Sequence, residues 1–158
     1  IRDWRSWGSD AIVIGESMVL AGALTEVVRR SVRRPRPFLY EAGVYPDDRD
    51  TAEATLSFYS GHTAALFALA VSTSYTFQLR HPRSKWRAVV WTALLAVASA
   101  EAVVRVTDGE HFPTVVLMGA LVGTASGFAV TELHRRRIPV QLGASVSNGV
   151  GVSLTGRF

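Results

Sequence analysis

The stretch PTVVLMGALVGTASGFAVT, residues 113–131, runs for 19 residues without a charge. Roughly 20 apolar residues are needed to cross the hydrocarbon core of a bilayer, so this stretch reads as a membrane-spanning helix. Pro113 suits the first turn of such a helix, where its missing N–H would have had no partner anyway. Gly119, Gly123 and Gly127 recur every four residues, baring one helical face so that a neighbouring helix can come close. Packing within one bundle is the simpler use of that face; a dimer interface is the other.

Working outward, three more apolar blocks precede it. Residues 10–32 carry Asp10, Glu16 and Glu26 before an arginine run begins, 62–79 are uncharged, and 86–106 are interrupted near their end by Glu101 and Arg105. Pro35 and Pro37 forbid continuation of the first helix, and Gly109 can terminate the third. The expected fold is all-α, an antiparallel transmembrane helical bundle over residues 1–137. In the tail, 138–158, the pattern changes to alternation. Val140, Leu142 and Val146 precede Asn148-Gly149, and Val150, Val152 and Leu154 follow it, which reads as a short C-terminal β-hairpin with a type I′ turn. Because Ile1 is not an initiator methionine, the sequence reads as a segment of a longer protein, with N-terminal helices upstream.

A chain of 158 residues is long enough for one domain with a real core. Its hydrophobic content of 48% and mean hydropathy of +0.20 are concentrated in the four blocks. With no cysteine there is no disulfide framework, no thiolate zinc site and no thiol nucleophile. The net charge of +4 and pI near 10.1 come mostly from arginine, which suits phosphates, lipid headgroups or nucleic acid equally. Nucleic acid is set aside because the arginines cluster at helix ends beside acids and no binding motif accompanies them. Arg80, Arg83, Lys85, Arg87 and Arg135, Arg136, Arg137 fall on one side of an up-down bundle, which reads as the cytoplasmic side. The opposite side, extracytoplasmic at a plasma membrane, mixes arginines with Asp47, Asp48, Asp50, Asp108 and Glu110.

That opposite side collects the unusual polar residues. The first helix ends in Arg29 to Pro37, the second opens with Tyr59-Ser60-Gly61-His62, the third closes with Arg105, and His111 follows. Singly, each has a plain structural use: arginines complement a helix C-terminus, Ser60 is an N-cap, a lone histidine is structural. Together they suggest an anion site. Arginine forks bind phosphate bidentately, and the backbone N–H groups where Ser60-Gly61-His62 enters a helix form an oxyanion cradle that Gly61 lets a ligand approach. Two imidazoles supply a nucleophile and a proton donor without a metal or other cofactor.

At these residues the sequence resembles the type 2 phosphatidic acid phosphatase and vanadium haloperoxidase superfamily. Its motifs are a lysine six residues before Arg-Pro, then Pro-Ser-Gly-His, then Ser-Arg with five residues to His and three more to Asp. Here they read Arg29, six residues, Arg36-Pro37; Tyr59-Ser60-Gly61-His62; and Val104-Arg105, five residues, His111, then Val115. The resemblance implies phosphate binding by Arg29, Arg36, Ser60, Gly61 and Arg105, acid/base work by His62, and a phosphohistidine on His111. It implies hydrolysis of a phosphate monoester or a lipid (di)phosphate at the membrane. Val115 stands where the family's aspartate orients the nucleophile and stabilises its cation. Asp108 or Glu110 is a candidate substitute, against the simpler reading of both as solvated loop acids. Two further functions fit: a degenerate, non-catalytic binder of phosphorylated lipids, and a vanadium haloperoxidase, disfavoured by the apolar helices and short chain. The sequence leaves the oligomeric state open.

Overall fold

Four helices carry the four apolar blocks: α1 (Trp4–Val32), α2 (Gly61–Arg80), α3 (Trp86–Thr107) and α4 (Pro113–Arg135). The computed structural model describes residues 4–40, 51–136, 140–146 and 150–156. Between α1 and α2, two short 3-10 turns, Pro37–Tyr40 and Ala52–Thr55, stand among the described residues. Strands β1 (Val140–Val146) and β2 (Val150–Gly156) pair antiparallel, with Val146 opposite Val150. The turn expected at Asn148-Gly149 lies outside the described residues.

Helix α2 is the hub. It packs against all three others, while α1 also meets α4 and α3 touches α4 only lightly. Apart from Val71, its buried positions are small or hydroxylated, including Thr63, Ala64, Ala68, Ser72 and Ser74, as suits a helix surrounded by protein rather than lipid. By length and composition α1, α3 and α4 can cross a membrane, and α2 is not among those candidates. Only 6% of the most apolar window of α3 is buried inside the protein. Val97, Val103, Leu117 and Leu121 are each more than half exposed. Such apolar faces need a cover other than water, and a bilayer supplies it. The chain is a helical membrane protein.

The glycine face of α4 meets α2, within the bundle. A Cβ on Gly119 would sit 2.7 Å from the Ser60 carbonyl oxygen, one on Gly127 would sit 2.9 Å from that of Ala68, and one on Gly123 would collide with the Ala64 carbonyl. The α4 backbone therefore rests directly on the first turns of α2. Beside this seam, Ala21, Tyr59, Ala64, Ala68 and Val115 form a buried cluster. Helix α4 also runs past its uncharged stretch, because Glu132 pairs one turn on with Arg135 and Arg136 and carries the helix into polar surroundings.

The end of the bundle opposite the arginine-rich loop is closed by ion pairs between helices. Arg80 of α2 pairs with Asp10 of α1. Tyr75 donates to Glu132 at 2.8 Å, and His134 Nε2 lies 3.3 Å from Glu16.

Candidate active site

Antiparallel packing brings the end of α1, the start of α2 and the start of α4 to one level, and a cavity of about 350 Å³ opens there. Arg29, Arg36, Gly61, His62 and His111 all line it, with Gly22, Thr25, Glu26, Leu56, Tyr59 and Ala65 completing the wall. Five of the seven residues singled out from sequence thus share one cavity. Ser60 and Arg105 are not in its wall.

The loop after α1 is held by backbone pairing. Arg36 N–H donates to Ala54 at 2.9 Å, and Ser57 N–H donates to the Arg34 carbonyl at 2.9 Å. The Arg34 guanidinium lies over the Phe112 ring, 4.4 Å from its centroid, tying the same loop to the start of α4. These contacts fix where Arg36 and Ser57 stand relative to His111.

Ser60 is the N-cap of α2 and fully buried. Its hydroxyl oxygen accepts from Thr63 N–H at 3.4 Å and lies 3.0 Å from Thr63 Oγ1. Thr63 Oγ1 is also 3.2 Å from Glu101. A carboxylate only accepts, so Thr63 gives its proton to Glu101, and Ser60 donates to Thr63. The serine is thereby spent on shaping the helix start. What the cavity sees of this turn is Gly61, where an added Cβ would meet the Thr25 methyl at 3.2 Å.

Arg105 is engaged from both sides. It donates to Glu101 at 2.7 Å and to Glu110 at 2.5 Å, and Glu110 also lies 3.9 Å from Arg36. A chain of charges, Glu101 to Arg105 to Glu110 to Arg36, therefore braces α3 against the arginine loop. Glu110, expected as an ordinary solvated acid, is part of this brace. Burial alone would raise its pKa, but the hydrogen bond and charge of Arg105, with Arg36 adding, hold it below the usual carboxylate range. In the cavity wall itself, Arg29 pairs with Glu26 at 2.6 Å. Spacings of three and four along a helix could have revealed the Glu26–Arg29 and Glu101–Arg105 pairs in advance.

His111 is 5% exposed, whereas His62 stands exposed at the start of α2. His111 Nδ1 lies 3.0 Å from the Ser57 carbonyl oxygen, which can only accept, so Nδ1 carries the proton and Nε2 keeps its lone pair. Neither Asp108 nor Glu110 takes the place of the family's aspartate on this ring. A main-chain carbonyl does, which the residue pattern could not reveal because it depends on backbone path. Burial pushes the His111 pKa down to about 4, with the positive charge of Arg36 pulling the same way and the Ser57 carbonyl and Glu110 opposing. At neutral pH the ring is an uncharged, oriented base. Val115 is 0% exposed and belongs to the apolar cluster, with its carbonyl accepting from Ser60 N–H at 3.4 Å. Among the described residues no group of three or more His, Asp or Glu side chains could hold a metal ion.

Guanidinium groups, a helix start and two imidazoles thus line one cavity, a set of groups chemically suited to a tetrahedral anion. The chain is 32% identical over 124 residues to a protein of Porphyromonas gingivalis named lipid A 1-phosphatase. The match covers 78% of this chain but 23% of that protein, so the chain spans about a quarter of the length of this relative. No solved structure matches the chain. Residues 10–139 match the PAP2 superfamily as a family, an interval containing every motif residue from Arg29 to Val115, and the chain belongs to that superfamily.

Proposed function

We propose that the chain hydrolyses a phosphate ester of a lipid at the extracytoplasmic face of a plasma membrane, through a phosphohistidine on His111. The observation that carries this reading is the shared cavity: Arg29, Arg36, Gly61, His62 and His111 line one space at the end of an apolar bundle. The name of the P. gingivalis relative supports a phosphorylated lipid as substrate. The basic residues at the other end of the bundle support the orientation.

The steps follow from the side chains. His111 Nε2 attacks phosphorus as the P–O bond to the lipid alcohol breaks, and His62 gives its proton to the departing oxygen. A water then loses a proton to His62, its oxygen attacks phosphorus, and the P–N bond breaks to release phosphate and restore His111. Arg29 and Arg36 offset charge on the non-bridging oxygens, and the N–H groups opening α2 do the same. Arg105 acts behind them, holding Glu110 and through it Arg36.

The Ser57 carbonyl orients His111 but carries no full charge to stabilise the imidazolium that forms. In a serine protease, loss of the carboxylate function costs roughly 10⁴ in rate, much of it from the wrong tautomer. Here the tautomer is kept, so the expected deficit is smaller, roughly 10- to 100-fold. The buried Val115 also favours a second reading, a phospholipid binder that turns nothing over.

Phosphate release in detergent from phosphatidic acid, an isoprenyl diphosphate and lipid A 1-phosphate tests both. The first reading expects measurable turnover, reduced roughly 10³-fold or more by His111→Ala, and faster turnover in Val115→Asp. An inert native chain that Val115→Asp makes active establishes the second reading. Native turnover unaffected by His111→Ala removes the phosphohistidine route.

A further inference from the structure

Tyr59 occupies the position where the family motif has proline, and packing explains its ring but not its hydroxyl. The ring belongs to the buried cluster with Ala21, Ala64, Ala68 and Val115, and it meets Phe58 edge-on. A phenylalanine would supply all of that. The hydroxyl oxygen is buried and meets no partner in hydrogen-bond geometry among the described residues. Thr25 stands beside it, but its hydroxyl donates to the Ala21 carbonyl at 2.8 Å, and its oxygen does not meet the phenol in hydrogen-bond geometry. Buried polar groups without partners are rare because each forfeits its hydration without return, so one on a residue that lines a cavity calls for a ligand.

The location points to the kind of ligand. Tyr59 is 3% exposed, lines the cavity shared by Arg29, Arg36, His62 and His111, and precedes the Ser60-Gly61 turn. Its neighbour Thr25 touches the space at Gly61 where the helix start faces the cavity. We infer that the Tyr59 hydroxyl is a further substrate contact of this site, donating a hydrogen bond to a non-bridging oxygen of the bound phosphoryl group. This assignment rests on the phosphate-ester reading above.

The chemistry fits a donor. Burial raises the phenol pKa, with Thr25 pulling the other way, so the proton stays on oxygen at neutral pH and the group does not repel an anion. It adds a hydrogen bond to the cradle without adding charge. Two of the departures from the family pattern, tyrosine for proline and valine for aspartate, also pack in the same buried cluster.

The test is the affinity of the full chain in detergent for inorganic phosphate, compared with Tyr59→Phe. Inorganic phosphate isolates the anion from the rest of any substrate. Losing one hydrogen bond to a charged group should weaken binding roughly tenfold or more. The melting temperature without phosphate should be unchanged or higher, since the variant no longer buries an unpartnered hydroxyl. If the native chain binds phosphate and Tyr59→Phe binds it equally well, this assignment is wrong and the functional reading stands. If the native chain binds no phosphate, the functional reading falls and the assignment with it. Should the variant not fold, a fluorotyrosine at Tyr59 gives the answer: its fluorine resonance must move on addition of phosphate, and an unmoved resonance overturns the proposal.

Discussion

The two ends of the bundle are built from the same residue types and do different things with them. At one end Arg80, Arg135 and Arg136 meet Asp10 and Glu132, with His134 against Glu16. At the other, Arg29, Arg36 and Arg105 meet Glu26, Glu101 and Glu110, with His62 and His111 in a cavity wall. The difference is what faces an open space. Helix α2 opens on the cavity, with Gly61 and His62 in its wall, whereas at the other end the arginines pair side chain to side chain with Asp10 and Glu132. Counting arginines does not locate an anion site. An arginine cluster becomes one when a helix start and a base face the same space.

The largest expected effect sharpens this contrast through pH. His111 has its pKa depressed from 6.5 to about 4 in the fold. A histidine depressed on folding leaves its full contribution in place above pH 6.5, and that stability is lost as pH falls toward 4, because the unfolded chain binds the proton more readily. The unfolding free energy should drop by about 3 kcal/mol across that window. Denaturant titrations at a series of pH values check it, and a His111→Gln variant that falls just as steeply would assign the effect elsewhere.

Next comes a pairwise comparison of arginines. Arg36→Ala should lower kcat/KM roughly 10²-fold, since a charge facing the transferring phosphoryl group is removed. Arg80→Ala at the opposite end should stay within about twofold, because exposed ion pairs contribute little. Equal losses in the two variants would erase the functional distinction between the ends.

The smallest effect concerns the seam that supports the cavity end. Gly123→Ala drives a methyl into the Ala64 carbonyl and the Phe67 side chain, and should cost about 1–3 kcal/mol. Gly15→Ala on α1 meets nothing within 4 Å and should be neutral or stabilise by roughly 0.5–1 kcal/mol. Thermal shifts of the two variants in one detergent decide the matter.

Much of this was legible in sequence, for identifiable reasons. Uncharged runs and prolines located four helices, because lipid tolerates few charges and proline cannot continue a helix. The ends were less legible. Helix α1 starts at Trp4 rather than near Asp10, and α4 runs to Arg135 rather than Thr131, where Glu132 pairs with Arg135 and Arg136 beyond the apolar stretch. Motif spacing pointed to Arg29, Arg36, Gly61, His62 and His111, all of which line one cavity. It could not tell that Glu110 reaches both Arg105 and Arg36, because motifs record positions and not partners. The Ser57 carbonyl was illegible for a different reason: any residue has one.

One consequence of the glycine seam reaches beyond stability. From Gly119, where α4 bears on the Ser60 carbonyl, to Arg135 is 16 residues of helix, or about 24 Å along its axis. That rod fixes the distance from the cavity end to the far end of the bundle. On the function proposed above, a headgroup must therefore come to the cavity at a set depth, and the thickness of the surrounding bilayer decides how far a lipid has to rise to reach it.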